Sequence, residues 1–164
     1  MAFLLHNILS KDSVLSPVLC YSKKRAFEEI AKKASIKTSL SVKELLEGLL
    51  ERENIGSTYV ANGFAVPHAI IPDNIKECAV MIILAKPVHY NIIENSHADI
   101  IFALFLHQET IDKYDEDIQE LASLLSQSSY TKHLRYISNI ATQVYSALIS
   151  YADKDEEPSK VIDE

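Results

Sequence analysis

The stretch ADIIFALFL, Ala98 to Leu106, decides how the chain is read. Apart from Asp99 it is an unbroken apolar run of strand length, and such runs suit a strand covered on both faces better than one with a wet side. A second run, CAVMIILA from Cys78 to Ala85, has the same character. The two together predict the interior of a sheet. The segment between them, Lys86 to His97, reads as turn and edge material.

Working outward, the period changes on both sides. Upstream, SKKRAFEEIAKKAS offers Ser22 as a cap and puts Phe27, Ile30, Ala31 and Ala34 on one helical face. After a short linker, IKTSL, a second helix opens at Ser41 and Glu44 in capping-box spacing and carries Leu45, Leu46, Leu49 and Leu50 to about Glu53 or Asn54. Downstream, helical periodicity returns from Asp117, with a short helix around Lys132 to Ile137 and a last one carrying Ile140, Val144, Leu148 and Tyr151. Helices, then strands, then helices predict an α/β layered domain with a central mixed β-sheet flanked by helices. One domain over residues 1–152 is expected, with residues 153–164 an acidic tail that has almost nothing to bury and is expected to be disordered.

Composition excludes several classes. The chain is 48% hydrophobic and 24% charged, as globular domains are, and no apolar run is long enough to span a bilayer. A net charge of -7 argues against nonspecific nucleic-acid binding, which needs clustered cations. The amino terminus lacks the marks of a secretory signal, so a cytoplasmic protein is expected. Cys20 and Cys78 have no partner at metal-ligand spacing and read as small buried hydrophobes. No paired Cys/His element or HExxH appears, so neither a metal nor a cofactor is expected.

The chemistry gathers in GSTYVANGFAVPHAI, Gly56 to Ile70, where two of only three glycines lead into Pro67 and His68. Any of the six histidines is by default a surface or hydrogen-bonded structural residue. His68 differs in its neighbours. Gly56, Ser57 and Thr58 bring backbone N–H groups and two hydroxyls, Asn62-Gly63 is a turn dipeptide, and Arg52 lies at the end of the preceding helix. These are donors for anionic oxygens around an imidazole that is neutral and nucleophilic near pH 7. The competing reading is a hairpin in which Asn-Gly and Pro serve turn geometry alone.

The segment LLERENIGSTYVANGFAVPHA resembles the signature of the fructose/mannitol-type IIA proteins of the bacterial phosphoenolpyruvate:sugar phosphotransferase system, L..RE..GSTGIGNG.A.PH. CYSKKRAFEEIAKKAS resembles the first helix of that family's nitrogen-regulatory branch, and IIENSHADIIFALFL its later strand. The likeness runs colinearly from about Leu4 to Tyr151. It implies a mixed sheet flanked by helices and a phosphoryl group taken from an HPr-like phosphocarrier protein. By that likeness His68 matches the phosphorylated histidine, Arg52 the signature arginine, and Gly56, Ser57, Thr58, Asn62 and Gly63 the phosphate-binding loop. Transfer between two imidazoles needs positioning and charge neutralisation, which Arg52 and the loop can supply.

Two departures from the family pattern stand out. Tyr59-Val60-Ala61 replaces Gly-Ile-Gly, placing a phenol near the site. The family's second histidine, in HL..L, falls on DIQEL, which puts Asp117 there, with Asp115 or His107 as alternative occupants of the space. A carboxylate there holds a ring N–H but repels a phosphoryl group. With no IIB-like module in the sequence, the expected use is a stand-alone regulatory switch acting on an unknown regulatory target protein. The alternatives are a component that passes the group to a sugar permease IIB, and a binding scaffold whose site has degenerated.

Overall fold

The computed structural model describes residues 2–156, and in it a six-stranded mixed sheet carries helices on both faces. The strands are β1 (Val14–Val18), β2 (Tyr59–Ala61), β3 (Phe64–Ala65), β4 (His68–Ile70), β5 (Cys78–Asn91) and β6 (Ser96–Leu106). The helices are α1 (Ala2–Ile8), α2 (Lys23–Thr38), α3 (Val42–Ile55), α4 (Gln108–Leu125), α5 (Ser128–Tyr136) and α6 (Ala141–Glu156). Most of the acidic tail expected at residues 153–164 lies outside the described residues; α6 itself runs on to Glu156.

The run that decided the reading, now β6, is the centre of the sheet. It pairs antiparallel with β5 on one side and parallel with both β3 and β4 on the other, and β1 and β2 form the edges in the order β1-β5-β6-β3-β2. Strict alternation sorts its side chains. Phe102 and Leu104 enter a cluster with Leu121, Leu134, Val144 and Leu148 of α4 to α6, while Ile101, Ala103 and Phe105 meet Phe27, Ile30, Leu45 and Leu49 of α2 and α3. Each of the larger of these buried side chains contributes about 1.5–3 kcal/mol. Cys20 and Cys78 are free and buried in the second cluster.

Five elements depart from the sequence expectation. Lys86 to Asn91 is not turn but a continuation of β5, because Val88 and Tyr90 point into the α2/α3 cluster while Lys86, Pro87 and His89 stay wet. The segment IKTSL is not all linker: α2 runs through Thr38 and stops at Ser39, whose φ of 63° is left-handed. The helix expected from Asp117 starts at Gln108, and its first half lacks an apolar period because only Ile111 there packs on the core, ahead of a bend at Tyr114. β1 and α1 were not anticipated; Pro17 is tolerated in β1 because that strand is an edge.

The turn between β2 and β3 is where glycine is required. Asn62 and Gly63 have φ of 52° and 79°, the paired positive values of a two-residue hairpin turn. A Cβ on Gly63 meets Arg135 Nη2 at 2.5 Å and Asp99 Oδ1 at 2.6 Å. Those two groups form a bidentate ion pair, at 2.7 and 2.8 Å, that locks the turn against α5. Gly56, by contrast, is extended at φ 171° with nothing near its absent Cβ. Gly63→Ala is therefore expected to cost about 1–3 kcal/mol of unfolding free energy and Gly56→Ala almost none, measured by urea denaturation. Equal losses in the two variants contradict this account of the turn.

Candidate functional site

The site begins with a close approach. Gly48 of α3 lies against Ala69 of β4, where an added Cβ sits 3.2 Å from the Ala69 Cβ. Four residues further along the same helical face comes Arg52, and one residue back along β4 comes His68. The arginine is thus laid over the imidazole, its Nε donating to His68 Nε2 at 3.1 Å. Its Nη1 donates to the Gly56 carbonyl at 2.9 Å, capping α3 and steadying the guanidinium.

β3 and β4 are one strand interrupted at Val66-Pro67. Pro67 has no N–H to give, but its carbonyl accepts from Leu104 N–H at 2.9 Å, and Val66 N–H donates to the Thr58 carbonyl at 3.0 Å. His68 then pairs with Leu104 of β6, so its ring is carried by the central strand. Because Nε2 accepts from Arg52, the ring proton belongs on Nδ1, which is buried without a hydrogen bond of good geometry. Burial lowers the pKa of His68 below its ordinary 6.5, and the Arg52 charge lowers it further; the Val66 carbonyl, Glu53 and Asp115 act the other way. The ring is neutral near pH 7, with its lone pair at Nε2.

Glu53, next to that arginine, is the residue that sequence reasoning did not single out. Its carboxylate is 6% exposed and holds four elements at once. It accepts from Lys23 Nζ of α2 at 2.8 Å, from Tyr90 Oη of β5 at 3.1 Å, and from the Thr58 hydroxyl and N–H in the loop. Contacts from three elements besides its own helix leave no local spacing to read. The same is true of Asp99 and Arg135 behind the hairpin turn.

A cleft of about 420 Å³ opens beside His68, walled by Arg52, Ser57, Tyr59, Val60 and Asp115. A second hollow of about 270 Å³, lined by Ile55, Ile70 and Ile111, also reaches Arg52 and His68. Among the residues expected at the site, Arg52, Ser57, Thr58, His68 and Asp115 come together. Thr58, only 8% exposed, spends its hydroxyl on Glu53 and Tyr90 and so shapes the loop from below. Gly56 contributes its carbonyl to Arg52. Asn62 and Gly63 line neither hollow; they serve the turn, with Asn62 Nδ2 donating to the Ser126 carbonyl at 2.9 Å. Asp117 does not line the cleft either. His107 caps α4 elsewhere, with its ring on the Ile75 carbonyl at 2.5 Å. The phenol of Tyr59 packs on Tyr90 and accepts from Gly63 N–H at 3.0 Å.

The remaining histidines are engaged away from the cleft. His6 meets Asp153, His89 and His97 stack at 4.0 Å across the β5–β6 ladder, and His133 bonds to the Tyr151 hydroxyl. Among the described residues no group of three or more His, Cys, Asp or Glu side chains is placed to hold a metal ion, and no helix is long and apolar enough to cross a membrane.

A neutral, half-buried imidazole under a guanidinium, beside an open cleft, is an arrangement that can receive an anionic group. Residues 7–151 match the family model for the phosphoenolpyruvate-dependent sugar phosphotransferase system EIIA 2 domain, and the chain belongs to that family. A nitrogen regulatory protein of Klebsiella oxytoca is 32% identical over 135 residues, covering 82% of this chain and 83% of that protein. The nitrogen regulatory protein of Escherichia coli strain K12 is 31% identical over 132 residues, with 80% and 81% covered. The crystal structure of nitrogen regulatory protein IIA-Ntr from Neisseria meningitidis superposes with a TM-score of 0.79 at 29% identity, over 88% of this chain and 99% of that one. IIA mannitol from Escherichia coli shares the fold, with a TM-score of 0.54 at 17% identity over 79% and 97%.

The electrostatics of His68 give a pH expectation with a definite sign. Its folded pKa is depressed, so the folded state binds fewer protons than the unfolded one; the stability this contributes is full above about pH 6.5 and is lost as pH falls toward the folded value. The His68 ring resonances should titrate below 6.5 by NMR. Arg52→Gln should move that midpoint only part of the way back, since burial is the larger cause. A wild-type midpoint at or above 6.5 contradicts the assignment.

Proposed function

We propose that the protein is a cytoplasmic phosphoryl acceptor, phosphorylated on His68 Nε2 by an HPr-like phosphocarrier, and that it acts as a regulatory switch on a protein target. The observation that carries the reading is the Arg52 Nε to His68 Nε2 contact, which fixes the tautomer and presents one lone pair beside a cation. The regulatory use is supported by the nitrogen regulatory proteins of similar sequence.

The step balances simply. The carrier's N–P bond breaks, its electron pair returns to the carrier imidazole, and the His68 Nε2 lone pair forms the new N–P bond while the proton on Nδ1 stays in place. His68 becomes a phosphoimidazolium. Arg52 leaves the lone pair and turns its N–H groups to the phosphoryl oxygens, where a planar guanidinium pairs two at once. The Ser57 oxygen accepts from Tyr59 N–H at 3.2 Å, which leaves its own O–H to donate to the same oxygens. Catalysis is positioning and charge, as phosphoryl transfer asks. Around this centre Ile55 and Ile70, 83% and 59% exposed, with Val60, give a protein partner an apolar rim to seat on.

Incubation of the full chain with phosphoenolpyruvate, enzyme I and the carrier should add one phosphoryl group by intact mass, acid-labile as phosphohistidine is. His68→Ala should abolish the addition, and full incorporation in that variant defeats the reading. Arg52→Lys should slow transfer by about tenfold or more with the fold intact, because the ammonium keeps the charge and loses the paired geometry.

A further inference from the structure

Asp115 stands on the wall of the His68 cleft, and among the described residues lining it Arg52 is the one cation and Asp115 the one anion. Its position follows from the shape of α4. The helix bends at Tyr114, with φ -118° and ψ 19°, and Asp115 is the first residue past the bend. Ile118, Gln119 and Ala122, three, four and seven residues on, face the same cleft. Gln119 Nε2 donates to Asp115 Oδ2 at 3.1 Å and steadies the carboxylate on that face. The charge reaches the imidazole: Arg52, Glu53 and Asp115 are the charged groups acting on His68. Glu53 is already engaged by Lys23.

We infer that Asp115 is a counter-charge that holds the phosphoryl equilibrium of His68 toward the donor, so that the protein becomes phosphorylated only when the carrier pool is itself highly phosphorylated. The inference rests on the acceptor reading above. By the step above, a phosphoryl group brings close to two negative charges while the ring becomes an imidazolium, so about one net negative charge enters a space where Arg52 and Asp115 already sum to zero. Asp115 is exposed, so water screens the repulsion; a net charge facing a like charge across such a wet cleft displaces an equilibrium by about tenfold. The charge opposes the product of the forward transfer and favours its reversal. The protein then discharges to an unphosphorylated carrier, and its state follows the current donor ratio instead of storing a past one.

The test is a closed equilibrium between two proteins. Full-length protein is mixed with phosphorylated HPr-type carrier in the absence of enzyme I. The reverse mixture, phosphorylated protein with unphosphorylated carrier, is run beside it, and intact masses are read once the two converge. Asp115→Asn should raise the ratio of phosphorylated to free protein about tenfold at a given carrier ratio, and Asp115→Lys should raise it further. Asp117→Asn, off the cleft, should leave it unchanged. The gap between wild type and Asp115→Asn should shrink with added salt, because exposed charges are screened over about 10 Å at 0.1 M. Equal final ratios in wild type and Asp115→Asn overturn this inference and leave the acceptor reading standing, as does a variant that changes only the rate of convergence. Wild-type protein that takes no phosphoryl group from the carrier overturns both.

Discussion

The arrangement depends on how closely α3 lies on β4. A glycine at position 48 lets the helix backbone come within one methyl contact of Ala69, and everything near the imidazole inherits its geometry from that approach. A larger residue there is expected to push the helix off β4 and open the 3.1 Å contact between Arg52 and His68. A small residue in the middle of a helix is normally a cost in stability. Here it lets a helix end and a strand start share one site, with the guanidinium on one and the imidazole on the other.

Charge is divided between neighbours. Arg52 and Glu53 are adjacent in sequence yet point to different tasks, the arginine over the ring and the glutamate down into the gap between α2, β5 and the loop. Glu53 is nearly buried, and a carboxylate there is tolerable only because Lys23, Tyr90 and Thr58 satisfy it together. The same network lifts the Tyr90 hydroxyl far above its ordinary pKa, chiefly by burial, so Tyr90 stays a neutral donor. The loop that presents Ser57 to the cleft is therefore held from beneath by a closed set of hydrogen bonds.

The two central strands and the first two long helices were legible because their signals are local. Ser22 and Ser41 cap α2 and α3 as their spacing suggests, each accepting from the backbone three residues on, at 3.1 Å. The outer half of β5 was not legible, since KPVHY alternates buried with wet and carries a proline, which reads as an edge or a turn. At the site, the link between Arg52 and His68 was readable from residue types and a family likeness. The division of labour was not. Thr58, Asn62 and Gly63 sit in one continuous motif, yet the first belongs to the Glu53 network and the other two to the Asp99–Arg135 clamp, and neither assembly exists until distant segments meet. Asp115, Asp117 and His107 were indistinguishable by spacing; the bend at Tyr114 turns Asp115 alone of the three to the cleft.

The proposed acceptor role comes down to atoms: the Arg52 Nε–H occupies the His68 Nε2 lone pair at rest while Nδ1 is buried, and on the proposed reading that makes Nε2 the reactive nitrogen. The most direct test is long-range ¹H–¹⁵N NMR of the phosphorylated protein labelled with ¹⁵N in histidine, which distinguishes the two ring nitrogens and assigns the modified residue. The account predicts a single phosphohistidine at His68, with phosphorus coupled to Nε2 and the proton on Nδ1. Phosphorus on Nδ1, or on any other histidine, contradicts it.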